Sequence, residues 1–174
     1  MFVYHEIDLD SLKSAMSEGL KRTTRGDKGN DDDIVKTDQF LDDRRPSALK
    51  QADVSRDDNL YAYYAPGLYV IDITDGAEVD IESFIDNAEG CILRIEVDPT
   101  RCYVSDLDIY DEVKRLLVCG EATDNDAGRY WKSMVSLQDY DREQIRRPEV
   151  MIPYDISPAK ITDMSSREKV ARDE

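Results

Sequence analysis

The chain opens on an apolar run, Phe2-Val3-Tyr4, which predicts a short strand, and then changes rhythm. Leu9, Leu12, Met16 and Leu20 recur at spacings of three and four, lining one face of an α-helix. Asp8 or Asp10 can cap its start, and Gly19 supplies the stop, because glycine accepts the left-handed backbone that closes helices. Residues 21–36 are polar and contain glycine, with Asp31-Asp32-Asp33 among them, and read as an exposed loop. Phe40, Leu41 and Leu49 point to a helical segment broken near Pro46. Leu60-Tyr61-Ala62-Tyr63-Tyr64 and Leu68-Tyr69-Val70-Ile71-Asp72-Ile73 predict strands by their aromatic and β-branched content. Asp75-Gly76 predicts a tight turn towards Val79.

Further on, residues 81–88 predict a short helix, and Cys91-Ile92-Leu93-Arg94-Ile95-Glu96-Val97 a strand ended by Asp98-Pro99. Ser105 and Asp108 have the spacing of a capping box, opening a helix with Ile109, Val113, Leu116 and Leu117 on its apolar side and Gly120 at its end. Residues 128–137, containing Trp131, predict another helix. A strand follows at Glu149-Val150-Met151-Ile152, then a last one at Ala159-Lys160-Ile161. Strands and helices mix without regular alternation, which points to an α+β domain rather than a doubly wound sheet. Residues 1–163 read as one domain with a single sizeable core, and 164–174 as a polar tail.

Composition narrows the function. Asp and Glu number 39 against 23 Lys and Arg, a formal net charge of −16. Non-specific affinity for nucleic acid or anionic lipid needs clustered Lys and Arg, so both are disfavoured as partners. Cys91, Cys102 and Cys119 are odd in number and lack metal-like spacing, which predicts no disulfide framework, no metal site and a reducing cytoplasmic setting. No apolar run reaches the length of a membrane span, and the start of the chain offers no signal sequence. Asp27 to Asp33 and Asp124-Asn125-Asp126 look like calcium loops at first sight. Counting from Asp124, however, the sixth position is Arg129 and the twelfth Val135, where glycine and glutamate are required.

Nucleophile, phosphate-loop and dinucleotide fingerprints are missing from the sequence. Two residues stand out instead. Glu149 is a carboxylate leading into an apolar strand, which is costly unless the charge is paired or used. His5 is the one histidine of the chain and follows the first predicted strand. Glu149 pairing with neighbouring Arg146 or Arg147, and His5 as a structural residue, are the plainer readings of each.

Taken in order, Tyr4-His5, a helix closed by Gly19-Leu20, Arg56 before Leu60-Tyr61-Ala62-Tyr63-Tyr64, and Pro148-Glu149-Val150-Met151-Ile152 with Pro158 and Ile161 resemble the ADP-ribosyltransferase-like superfamily. The similarity is to DarT-like transferases and, more distantly, RNA 2′-phosphotransferases. It implies split antiparallel sheets with peripheral helices, and NAD as a substrate. By that resemblance Glu149 and Arg56 are catalytic: Glu149 stabilises the oxocarbenium-like ribose, and Arg56 contacts phosphate or positions the acceptor. His5 bonds the nicotinamide-side ribose, Tyr61 or Tyr63 stacks on nicotinamide, and Gly19 and Leu20 belong to the NAD cleft. The chemistry asks for these types independently of the family. An anion stabilises developing positive charge, an aromatic wall holds the ring, and arginines grip phosphates, with Arg22, Arg25, Arg44, Arg45 and Arg56 on hand. The acidic charge favours a protein or small-molecule acceptor over nucleic acid. The alternative from another class is a non-enzymatic acidic module that binds a basic protein partner.

Overall fold

The computed structural model describes residues 1–24 and 31–165 and has a mixed α+β architecture built on one antiparallel sheet. The strands are β1 (Phe2–Ile7), β2 (Thr23–Thr24), β3 (Asp58–Tyr64), β4 (Tyr69–Ile71), β5 (Glu78–Asp80), β6 (Cys91–Glu96), β7 (Tyr103–Asp106), β8 (Val135–Ser136), β9 (Pro148–Ile152) and β10 (Ile161–Asp163). The helices are α1 (Leu9–Glu18), α2 (Asp32–Asp43), α3 (Ser47–Gln51), α4 (Ile81–Asn87), α5 (Leu107–Val118) and α6 (Asp124–Ser133). The large sheet runs β10-β6-β1-β3-β9-β7-β8 with β2 against β3, and β4 and β5 form a separate hairpin. Among the described residues no helix is long and apolar enough to cross a membrane.

Alternating side chains give the sheet two buried faces. Val3, Leu60, Ala62, Leu93, Ile95, Val104, Val150 and Ile152 pack beneath α1 and the segments carrying Leu137, Ile145 and Ile156. The other face is covered in two parts. Leu41, Leu107, Tyr110, Val113, Tyr130 and Trp131 pack α2, α5 and α6 together over one half. Tyr4, Val70 and Ile92, joined by Tyr63, Ile81 and Phe84, seat the hairpin and α4 over the other.

Strand β1 pairs with β6 along its whole length, from Phe2–Glu96 to Ile7–Cys91. Its pairing with β3 on the other side is confined to Val3–Tyr64 and Tyr4–Tyr63. The two strands part beyond that point, so the middle of the sheet has a seam. His5 lies where they separate.

Several elements differ from the sequence expectation. The acidic run at 31–33 is a helix start, not part of a loop: Asp31 accepts from the Asp33 amide, and Asp32 and Asp33 occupy the first turn, where carboxylates suit the helix dipole. Ser105 does not cap α5. It sits inside β7, and Asp106 caps the helix by accepting from the Asp108 and Ile109 amides. Helix α6 begins at Asp124, four residues before Gly128, because Thr123 and Asp126 form a reciprocal capping box. It also stops at Ser133, where the chain enters β8. The stretch predicted as a last strand at 159–161 begins as a tight 3-10 turn, Pro158–Lys160, and pairs with β6 only from Ile161. Positions 25–30 of the expected loop, and the tail from 166 onwards, lie outside the described residues.

Candidate active site at the seam

The register places one row of side chains across the sheet: Thr162, Arg94, Tyr4, Tyr63, Glu149 and Ser105 stand opposite one another from β10 to β7. Tyr61 lies two residues from Tyr63 and therefore on the same face. Where β1 leaves β3, this row borders a cleft of about 280 Å³ lined by His5, Glu6, Tyr61, Ala62, Tyr63, Ile73 and Glu149. Four of the predicted site residues, His5, Tyr61, Tyr63 and Glu149, thus meet in one place although the chain separates the first and last by most of its length.

The seam explains the histidine. The Tyr61 carbonyl would be a ladder acceptor if β1 and β3 stayed paired; here His5 Nδ1 lies 2.6 Å from it. A carbonyl can only accept, so Nδ1 carries the proton, and in the neutral ring Nε2 is the acceptor. The Tyr61 hydroxyl donates to the Arg56 carbonyl, so this tyrosine is fixed at both ends. Tyr63 is held by the edge of Phe84, with ring centroids 4.8 Å apart. Burial, and then the charges of Glu6, Asp72 and Glu149, raise the Tyr63 hydroxyl above its usual pKa, which keeps it a neutral donor at physiological pH.

Glu149 is 8% exposed, and its partner is distant in sequence. Arg56 Nη1 donates to Glu149 Oε2 at 2.5 Å, and Ser105 Oγ donates to the same oxygen at 3.4 Å. Arg146 and Arg147, its sequence neighbours, are engaged elsewhere. Arg146 grips the Asp75 carbonyl, whereas Arg147 holds the Ile73 carbonyl, Asp108 and Asp111. The carboxylate is therefore paired, but not by the arginines beside it in the chain.

Arg56 is wholly buried on the helical side of Glu149. Its Nε donates to Asp38 Oδ1 at 3.1 Å and its Nη1 to the Tyr130 hydroxyl at 3.1 Å. The guanidinium carbon lies 4.3 Å from the Tyr110 ring centroid and 4.9 Å from that of Tyr61, a cation–π cage. Burial works against the charge, but Glu149, Tyr130, Tyr61 and Asp38 outweigh it and hold Arg56 well above its ordinary pKa. Burial pushes Tyr130 up to about 12, so its hydroxyl also stays protonated. A guanidinium so enclosed does not reach phosphate. The geometry gives Arg56 a positioning place behind the carboxylate.

Gly19 and Leu20 are not among the residues lining the cleft. Leu20 is buried in the core and bridges Ile156 in both directions. Gly19 has φ of +88°, and a Cβ there would stand 2.1 Å from the Ile156 carbonyl oxygen. The other arginines considered for phosphate are committed too: Arg22 to Asp53 and Asp58, Arg44 to Asp124, Arg45 to the Val54 carbonyl. Arg25 lies outside the described residues.

Sequence reading missed Asp38, Ser105, Tyr110 and Tyr130, the buried polar shell around Arg56. Asp38 did carry a signal. It sits between Val35 and Leu41 in what folds as an amphipathic helix, at a position that turns inward. Comparison with protein-family models, curated proteins and solved structures finds no match to the chain.

Proposed function

We propose that the seam cleft binds NAD and cleaves the bond between nicotinamide and ribose, transferring ADP-ribose to an acceptor. The observation that carries this reading is the convergence of His5, Tyr61, Tyr63 and a buried, arginine-backed Glu149 on one cleft. Loss of neutral nicotinamide leaves positive charge on the ribose, and a carboxylate held in a dry, preorganised site stabilises that charge far better than water does. One guanidinium serves two carboxylates here, Asp38 and Glu149. The tyrosines offer aromatic walls for the departing ring. His5 brings its imidazole to the edge of the cleft, with Nδ1 on the Tyr61 carbonyl, as the contact to the ribose that the resemblance implies.

A protein or small molecule is the favoured acceptor. Beside the cleft runs a larger groove of about 710 Å³ that shares His5 and Glu6 with it and adds Asp8 and Glu89. A polyanionic strand laid along those carboxylates is repelled. In this reading the short β1–β3 pairing, inside one continuous sheet, stands in for the division into separate sheets that the resemblance implies.

The test is nicotinamide release from NAD by the purified protein, alone and with cell extract. Glu149→Gln keeps the shape and removes the charge, and is expected to slow release by about 100-fold or more. Release at the wild-type rate in Glu149→Gln would remove Glu149 from the reaction.

A further inference from the structure

The buried shell behind Glu149 is organised from helix α2. Asp38 and Asp42 lie one turn apart on that helix, and both hold Arg56. Asp38 Oδ1 accepts from the side-chain Nε, and Asp42 Oδ1 accepts from the Arg56 amide at 2.9 Å. The other Asp42 oxygen accepts from the Ser55 hydroxyl and the Asp57 amide, which fixes the turn leading into β3. Asp38 is 1% exposed and also accepts from the Tyr110 hydroxyl at 2.9 Å. Helix α2 is itself fastened, because Trp131 Nε1 donates to the Leu41 carbonyl at 2.8 Å. A planar guanidinium held at Nε cannot turn about its own long axis, so its Nη1 edge stays aimed at Glu149 Oε2.

We propose that Asp38 is a positioning residue for Glu149: by fixing the Nε end of Arg56 it sets the direction in which the carboxylate is presented to the cleft. This rests on the reading that Glu149 acts on a ligand in that cleft. Asp38 is not among the residues lining the cleft, and its effect passes through Arg56. A buried carboxylate with no such duty would be costly to keep, since an apolar side chain could fill the same space.

The experiment uses the full chain labelled with ¹⁵N-arginine, in which the Arg56 Nε–H signal is assigned by its loss in Arg56→Lys. Two variants are compared with wild type: Asp38→Asn, which keeps shape but removes charge, and Tyr110→Phe, a milder change that removes one donor to Asp38. In Asp38→Asn the Arg56 Nε–H is expected to exchange with solvent about tenfold faster. Nicotinamide release in the same variant is expected to lose on the order of tenfold in kcat with KM for NAD near the wild-type value, because misdirection of a held group costs rate and not binding. Tyr110→Phe is expected to move both readouts the same way by less, and it decides the matter alone if Asp38→Asn does not fold. Unchanged Arg56 exchange, or a rise in KM with kcat intact, would overturn the proposal. Should wild-type protein release no nicotinamide, the NAD reading fails while the positioning claim is still tested by a double-mutant cycle. The Arg56 shift caused by Glu149→Gln is measured once with Asp38 intact and once in the Asp38→Asn background; coupled shifts support the claim and additive shifts overturn it.

Discussion

At the scale of single residues the site depends on placing ionised groups where water does not reach. Arg56 carries its charge among three tyrosine rings and two carboxylates. Tyr130 shows what this implies for pH. Its pKa is about 12 in the folded protein because of burial, against about 10 in an unfolded chain. A raised folded value means the native state keeps the proton longer. Its stabilising contribution is therefore complete below about pH 10 and is lost as pH climbs to about 12. Urea unfolding across that window is expected to show stability falling with pH, and falling less steeply in Tyr130→Phe. The remaining slope includes Tyr63, Tyr64, Tyr140 and Tyr154, whose hydroxyls burial also raises. An unaltered slope in Tyr130→Phe would mean that Tyr130 does not titrate as a buried group. At neutral pH the same variant is expected to lose about 1–3 kcal/mol, because Arg56 Nη1 gives up one acceptor in a buried site.

At the scale of elements, the helix α1 terminus shows how a motif can be read correctly and its purpose misplaced. Gly19 does stop the helix, in the left-handed region, with its amide on the Ala15 carbonyl. It is glycine because the Ile156 carbonyl occupies the space a side chain would need, and Leu20 then pairs with Ile156 on the core side of the fold. Gly19→Ala is accordingly expected to cost on the order of 1–3 kcal/mol of stability, read by denaturant unfolding, while KM for NAD stays at the wild-type value. A clear rise in KM in the folded variant would return Gly19 to the binding cleft. The strands with alternating or continuous apolar runs were legible for the same local reason as this helix stop: β3, β6 and β9 each carry their own burial pattern. Strand β7 was not legible, since Tyr103-Val104-Ser105-Asp106 reads equally as the approach to a capped helix, and its identity is settled by pairing with β9. Glu149 could be singled out from sequence because a charge opening an apolar strand is locally anomalous. Its partner could not, because the choice of Arg56 over Arg146 and Arg147 is made by the packing of α2, α5 and α6, which no local pattern encodes.

The whole molecule adds a field. Many of its described basic side chains are already matched, among them Arg22 with Asp53, Arg44 with Asp124, Arg129 with Glu112, Arg147 with Asp108 and Asp111, and Lys160 with Glu96. The carboxylates exceed the basic groups by the full formal charge of −16. Groups next to the cleft share this sign: Glu6, Asp8 and Glu89 border one groove, Glu6, Asp72 and Glu89 another. Any ligand therefore approaches through a negative potential, and screening changes its reach from about 30 Å at 0.01 M salt to about 8 Å at 0.15 M. NAD carries negative charge on its pyrophosphate, so added salt should help it in: KM for NAD is expected to fall as ionic strength rises over that range. A lysine- and arginine-rich peptide offered as acceptor should behave oppositely, with its transfer rate falling over the same range as the attraction is screened. Parallel initial-rate measurements, one varying NAD and one varying the peptide, separate the two. A KM for NAD that climbs with salt would mean that cations dominate its binding, and it would remove the electrostatic case against a nucleic-acid acceptor. Opposite slopes would instead tie the choice of acceptor to the charge that the chain displays throughout its surface.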